Sequence, residues 1–80
     1  MNVGEAVKER ILELCRERDI SINKLCTMSG VTQSTVNNIV SGRNHSVTIS
    51  TIKKLCDGLD LTMGEFFSTP EFDTLEQEIR

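Results

Sequence analysis

The chain has 80 residues, three cysteines and a formal net charge of −3. This length suits one small domain with a single hydrophobic core, and the ordinary apolar fraction argues against a disordered chain. No apolar run could cross a bilayer and no secretory signal is present, so we expect a cytoplasmic protein without a membrane partner.

The N-terminal third predicts an amphipathic helix from about Gly4 to Arg18. Its apolar residues recur at helical spacing on one face, at Val7, Ile11 and Leu14. Asn2, with Glu5 three residues later, has the pattern of a capping box at the start of this helix.

Two short helices follow, separated by a tight turn. Ser21 can cap a second helix that runs to about Met28, and Gly30 ends it because glycine tolerates the left-handed backbone of such a turn. Thr32 is a suitable N-cap for a third helix over Gln33–Ser41, and Gly42 follows that helix.

The second half of the chain continues the helical pattern. A loop over residues 43–47 precedes Thr48, which can cap a fourth helix with a stripe of Ile49, Ile52, Leu55 and Cys56 that ends at Gly58. Thr62 and Glu65 predict a second capping box and a short fifth helix.

The last segment has one more helix start, because Pro70 suits the first turn of a helix. Its apolar residues would form a thin stripe of Phe72, Leu75 and Ile79. Strand signals are absent, so the predicted class is all-α: a compact bundle of about five short helices, with room for a short C-terminal helix.

Charge is distributed unevenly along the chain. Residues 20–56 contain no Asp or Glu, and their basic residues are Lys24, Arg43, Lys53 and Lys54. Residues 57–80 contain seven acidic residues against one Arg. The acid-free central segment could therefore face phosphate, while we expect the acidic C-terminal part to lie away from it.

The outer face of the third helix is polar and uncharged. It consists of Gln33, Ser34, Thr35, Asn37 and Asn38. Amide side chains can bond adenine with two hydrogen bonds, and hydroxyls can bond several bases, so this face has the chemistry for recognising base edges. Surface helices usually prefer Glu and Lys, so such weak helix formers indicate a purpose beyond solubility.

Two short helices joined by a glycine-containing turn are typical of a helix-turn-helix unit. The segment from Ile20 to Phe67 resembles the phage-repressor helix-turn-helix family (Cro/CI-type, also called XRE), and the first helix extends the resemblance. The most specific matches are Leu25-Cys26, Gly30-Val31, Val36, Ile39 and Ser41-Gly42-Arg43.

The resemblance implies a lambda-repressor-like, five-helix DNA-binding domain over residues 1–68, with the helix-turn-helix unit at about 21–42. Residues 69–80 would be an acidic tail that can be helical. The resemblance further implies a homodimer that binds palindromic double-stranded DNA operators and regulates transcription, most simply as a repressor.

Positions equivalent to the family's base contacts hold Gln33, Ser34, Thr35, Asn37 and Asn38. Positions where phosphates are usually held are Ser21, Arg43, Asn44 and Thr48. We also expect phosphate contacts from Lys24 and Lys53, whose positive charges flank this surface.

The chain departs from the family pattern at two places. Ile22 stands where the family often has a phosphate-binding Gln. Cys15 and Val40 stand where the family often buries an Arg–Glu pair. An apolar pair can replace a buried ion pair when both partners change, so we predict that Cys15 contacts Val40.

Other kinds of site are disfavoured. Cys15, Cys26, Cys56 and His45 lack the spacing of a zinc site, and each cysteine lies on an apolar helical stripe. No nucleophile–base arrangement or glycine-rich phosphate loop is present, so we expect neither an enzyme nor a cofactor or small-molecule ligand.

Two questions stay open at this stage. The helix-turn-helix could dock another protein without binding specific DNA, in which case exposed apolar side chains should lie on the third helix. The apolar residues of the C-terminal part could form the dimer contact or pack on their own chain; they are Phe67, Phe72, Leu75 and Ile79.

Overall fold

The computed structural model describes residues 1–43 and 46–79, and within these ranges the chain forms six helices and no strand. The helices are α1 (Val3–Arg18), α2 (Ile22–Ser29), α3 (Gln33–Val40), α4 (Ile49–Gly58), α5 (Met63–Phe66) and α6 (Pro70–Asp73). The predicted all-α class is confirmed. In the described part of the chain, no helix has the length and apolar character that crossing a bilayer requires.

The helices begin at the side-chain caps that the sequence predicted. Asn2 accepts a hydrogen bond from the Glu5 N–H at 2.9 Å, and the Glu5 carboxylate accepts one from the Asn2 N–H at 3.3 Å. Thr62 and Glu65 form the same reciprocal box at α5. Single hydroxyl caps begin α2, α3 and α4 at Ser21, Thr32 and Thr48.

The turns around α3 use glycine in the left-handed conformation. Gly30 ends α2 with a φ of 70°, and Gly42 follows α3 with a φ of 82°. Because L side chains rarely adopt these angles, glycine lets the chain reverse at both ends of α3 without strain. Helix α3 ends at Val40, one residue earlier than predicted, and Ser41 is its C-cap.

One apolar core holds the five helices from α1 through α5 together. Its buried residues are Val7, Ile11, Leu14, Cys15, Leu25, Cys26, Val31, Val36, Ile39, Ile52, Leu55, Cys56, Leu59 and Phe66. Val40 is half-buried against this core, and α3 packs on α1, which carries Cys15. The Cys15–Val40 pair thus shares one apolar environment, and direct contact between the two side chains stays a prediction.

Helices α2 and α4 form the most extensive helix pair, and their closest approach is at Gly58. A Cβ at position 58 would lie 2.8 Å from the Cα of Ser29 and 2.9 Å from the carbonyl carbon of Met28. These neighbours are backbone atoms that cannot move aside as a flexible side chain could. A residue without a side chain is therefore required where α4 ends against α2.

Arg10 attaches the end of α5 to α1. Its Nε donates to the carbonyl oxygen of Phe66 at 2.7 Å, and its Nη2 donates to that of Glu65 at 2.9 Å. Its Nη1 pairs with Glu13 at 2.5 Å. Because the last carbonyls of a helix have no partner within the helix, the nearly buried guanidinium satisfies groups that packing would leave unbonded.

The C-terminal segment is less helical than its apolar pattern predicted. Helix α6 is a single turn that ends at Asp73, and its N-cap Thr69 makes no capping hydrogen bond. A short helix in water needs an N-cap or a buried apolar face, and α6 has neither a capping hydrogen bond nor a buried residue. Leu75 and Ile79 consequently lie beyond the helix, and Ile79 is 81% exposed.

The aromatic residues of this segment pack on their own chain. The ring centroids of Phe67 and Phe72 are 5.0 Å apart in an edge-to-face arrangement, and Phe67 makes a similar contact with Phe66 at 4.9 Å. The N–H of Glu76 then donates to the Met1 carbonyl at 3.2 Å. Phe67 and Phe72 thus contact each other within one chain and are half-buried, and a dimer contact through this segment stays a prediction.

Substituting Gly58→Ala should lower the free energy of unfolding by about 1–3 kcal/mol, because the added methyl group overpacks the α2–α4 contact. Urea unfolding followed by circular dichroism at 222 nm measures this change.

Gly64→Ala is the matched control. A Cβ at Gly64 would meet only the Thr62 hydroxyl oxygen at 3.8 Å, an ordinary contact distance. This variant should keep its stability or gain up to about 1 kcal/mol from the higher helix propensity of Ala. Equal stability of the two variants would contradict the close α2–α4 approach.

Candidate nucleic-acid interface

Helix α3 presents opposite faces of different character. Val36 and Ile39 are completely buried in the core, whereas Gln33, Asn37 and Asn38 are exposed. Ser34 is also exposed and Thr35 is half-buried. All five side chains predicted to contact bases therefore lie outside the core, and none of the exposed ones is apolar.

The N-terminal turn of α3 contains a hydroxyl network that the sequence did not predict. The Thr32 hydroxyl oxygen accepts from the Thr35 N–H at 3.3 Å and lies 2.9 Å from the Thr35 hydroxyl oxygen. It also lies 3.3 Å from the Ser34 hydroxyl. Among the described residues, the amides of Gln33 and Asn37 have no such partner and stay open to a ligand.

At the other end of α3, Asn38 is bonded to Arg43. The Arg43 Nε donates to the Asn38 Oδ1 at 3.3 Å. Gly42, with its left-handed backbone, lies between the two residues, and the hydrogen bond places the guanidinium beside the last turn of the helix. The sequence analysis predicted a phosphate contact for Arg43 and a base contact for Asn38 separately. The hydrogen bond between the two side chains is seen only in the structure.

Two of the predicted phosphate contacts lie at helix N-termini. The Ser21 hydroxyl accepts from the Lys24 N–H at 3.0 Å at the start of α2. The Thr48 hydroxyl accepts from the Thr51 N–H at 3.1 Å at the start of α4. The remaining N–H groups of these first turns have no partner within the helix, which is the arrangement that favours anions.

The predicted lysines differ in their surroundings. Lys24 is exposed, and its ammonium makes no ion pair with any described residue. The Lys53 ammonium lies 2.6 Å from a carboxylate oxygen of Asp57, one helical turn away. That hydrogen bond, together with the attraction of the Asp57 charge, raises the pKa of Lys53. Lys53 therefore stays protonated but shares its charge with a carboxylate.

Two residues of the loop before α4, Asn44 and His45, lie outside the described residues, so the predicted phosphate contact of Asn44 has no structural account. The loop resumes at Ser46 and Val47, which line a groove of about 180 Å³ together with Val3 and Glu78. Glu78 of the acidic tail thus lies near the loop that leads to Thr48, and the position of the tail relative to phosphate stays a prediction.

Ile49 is not part of the core, contrary to the predicted stripe of α4. It is 66% exposed, whereas Ile52 is 2% exposed. Ile49 is the first residue of α4, and the buried residues of that helix begin three positions later at Ile52. The periodic pattern could not distinguish this position from the buried ones.

The three cysteines belong to the core and do not form a reactive site. Burial raises the pKa of Cys15, Cys26 and Cys56, and the neighbouring Cys26 raises that of Cys15 further. In the part of the chain that the structure describes, no three His, Cys, Asp or Glu side chains lie together as metal ligands.

Comparison with known proteins identifies a family and a solved structure of similar fold. Residues 10–71 match the model of the Cro/C1-type HTH DNA-binding domain. The fold is similar to the crystal structure of the prophage Lp1 protein 11, with 37% sequence identity and a TM-score of 0.81. The match covers 94% of this chain and 100% of that one. No curated protein sequence matches significantly.

The thiols of the folded protein should react with a disulfide reagent at pH 8 at least about a hundredfold more slowly than those of the urea-unfolded chain. Burial hides the sulfurs and keeps them protonated.

The free energy of unfolding should also fall as the pH rises past the ordinary thiol pKa of about 8.5, because the unfolded thiols then ionise and the folded ones do not.

A Ser50→Cys variant provides the control, because position 50 is exposed on α4. One thiol of this variant should react at once and the other three slowly. Prompt reaction of a native thiol in the unmodified protein would show that at least one cysteine is accessible.

Proposed function

Since the chain belongs to the Cro/C1-type helix-turn-helix DNA-binding domain family, we propose that it regulates transcription, as a repressor, by binding a specific double-stranded DNA sequence. In this proposal, α3 enters the major groove and the protein acts in the cytoplasm by binding alone, without catalysis or cofactor.

The observation that carries the proposal is the outer face of α3. Its exposed side chains are uncharged donors and acceptors, while Val36 and Ile39 hold the opposite face in the core. A recognition helix needs this division, because its inner face must be anchored while its outer face bonds base edges. Gln33 and Asn37 have amides free of described partners and are the foremost base contacts; Ser34, Thr35 and Asn38 complete the set.

Phosphate contacts would orient the protein on the duplex. The open N–H groups near Ser21 and Thr48 and the charges of Lys24 and Arg43 supply donors for backbone oxygens. Lys53 would contribute less while Asp57 holds its ammonium. Asn44 is retained as a proposed phosphate contact from its place in the sequence.

Binding as a homodimer follows from the small number of these contacts. One copy has few cations and one short recognition helix, so its affinity for DNA should be weak. Two copies on half-sites about 34 Å apart would combine their affinities and require a palindromic operator.

A second candidate function is docking of another protein on the same scaffold. The exposed Ile49 favours it, because an apolar side chain at a surface contributes to protein interfaces. The uncharged polar face of α3 favours DNA, and a selection experiment separates the two.

Selection from random duplex DNA at about 100 mM salt should enrich a short palindrome with half-site centres about 10 bp apart. Gln33→Ala or Asn37→Ala should each reduce the preference at one position of the half-site by about fivefold or more, because each removes a bonded base contact. Sequencing of the enriched pools measures both effects.

Asn23→Ala is the matched control, since it removes the same amide from the exposed surface of α2 rather than α3. Its enriched sequence should equal that of the unmodified protein. An enriched motif without symmetry would contradict the dimer, and the absence of any motif would leave protein docking as the function.

The salt dependence of binding should separate the two lysines. Lys24→Gln should reduce the slope of log affinity against log salt by about one for each bound copy, because one phosphate contact is lost. Lys53→Gln should reduce it less, and Asp57→Asn should strengthen binding because it releases the Lys53 ammonium. Titrations by fluorescence anisotropy at several salt concentrations give the slopes.

Arg16→Gln serves as the charge control. Arg16 is exposed on α1 and lines a groove with Thr69 and Glu71, on the side that carries α6. Its removal should leave the salt slope unchanged. Equal losses for Lys24 and Arg16 would show that binding depends on total charge rather than on this surface.

A further inference from the structure

We infer that Arg43 is a positioning residue that sets which base Asn38 recognises, by fixing the orientation of the Asn38 amide so that the pair favours guanine. This inference rests on the proposed function, because it concerns Asn38 as a base contact. It adds a role for Arg43 that its place in the sequence, as a phosphate contact, does not give.

The orientation of the amide follows from the chemistry of the two groups. Arg43 Nε lies 3.3 Å from Asn38 Oδ1. A guanidinium has only donors, and the Asn amide has one acceptor atom, its oxygen. Turning the amide over would place its NH₂ group against the guanidinium N–H, donor against donor. The contact therefore selects the orientation in which Oδ1 faces Arg43.

The surrounding chain holds both residues in place. Ser41 donates its hydroxyl to the Asn38 carbonyl at 3.2 Å, and the Ser41 N–H bonds the Asn37 carbonyl at 2.9 Å. The left-handed Gly42 then directs Arg43 back along the helix. Arg43 is thus held near Asn38 by local backbone geometry and not by side-chain contact alone.

In this arrangement the group that Asn38 offers to DNA is its NH₂. A free asparagine bonds adenine with both ends, donating to N7 and accepting from the N6 amino group. When Arg43 donates to Oδ1, one of the two lone pairs of that oxygen is engaged, and the cation beside it disfavours the approach of the adenine N6 amino donor to the other. Adenine and guanine both present the N7 acceptor to the NH₂ group, but guanine has the acceptor O6 where adenine has the donor N6, so the adjacent guanidinium favours guanine.

The remaining donors of Arg43 link this base contact to the DNA backbone. Nε is the atom that bonds Asn38, and the two terminal nitrogens stay available for a phosphate. A phosphate bound there would hold the guanidinium more firmly against Asn38. The same residue would then position the protein and bias the choice of base.

The first test needs no DNA. Relaxation of the side-chain NH₂ groups, measured by ¹⁵N NMR, should show Asn38 more rigid than Asn37, which is exposed on the same helix and has no described side-chain partner. In an Arg43→Met variant the two amides should become equally mobile. Equal mobility in the unmodified protein would overturn the inference.

The second test measures base preference by selection from random duplex DNA. The unmodified protein should prefer guanine at one position of each half-site, and Arg43→Met should shift that position toward adenine by about fivefold or more. Asn38→Ala should abolish the preference, and adding Arg43→Met to Asn38→Ala should then leave that position unchanged.

Lys24→Met is the matched control, because it removes one exposed cation without touching Asn38. It should weaken binding to all sequences without changing any base preference. Arg43→Met could weaken binding without changing any base preference, as Lys24→Met does, while a motif is still enriched. Arg43 would then contact phosphate only, and the inference would fail while the proposed function stands. If the unmodified protein enriches no motif, the proposed function fails and the inference with it.

Discussion

The close approach of α2 to α4 is the constraint on which the rest of the structure depends. At Gly58 the two backbones come so near that a single methyl group would not fit. This contact fixes α2, and the turn at Gly30 then fixes where α3 begins. An eight-residue helix is marginal in isolation, so α3 depends on its buried Val36 and Ile39. The polar face of α3 is exposed to solvent because the opposite face is anchored in the core.

In the folded protein, acidic residues lie closer to the acid-free central segment than the order of residues along the chain suggests. The central segment has no acidic residue, but Asp57 follows it directly and pairs with Lys53 one helical turn back. At the other side, Glu78 comes beside the loop at Ser46 and Val47. Acidic residues therefore lie near Lys53 and near the loop before α4, and they restrict where a polyanion can bind. The small number of free cations on the described surface supports the proposal that two copies bind DNA together.

The polar side chains of α3 are not equivalent in the folded protein. The hydroxyl network around Thr32 and the Asn38–Arg43 bond restrict rotation before any ligand arrives. The amides of Gln33 and Asn37 have no comparable restraint among the described residues. Restrained groups lose less entropy on binding and select geometry, whereas unrestrained groups can adapt to a ligand. One helix thus combines fixed and adaptable polar side chains.

The sequence by itself determined what depends on neighbours along the chain. Caps such as Thr32 and turn glycines such as Gly30 act over three or four residues, so the helix starts and the all-α class followed from local pattern. The departures came where distance along the chain and distance in space differ. Periodicity could not show that Ile49 is exposed, because burial depends on which helix lies opposite. Only the tertiary structure joined Arg10 to the carbonyl oxygen of Phe66, 56 residues away, since such a hydrogen bond requires directions that the fold alone supplies.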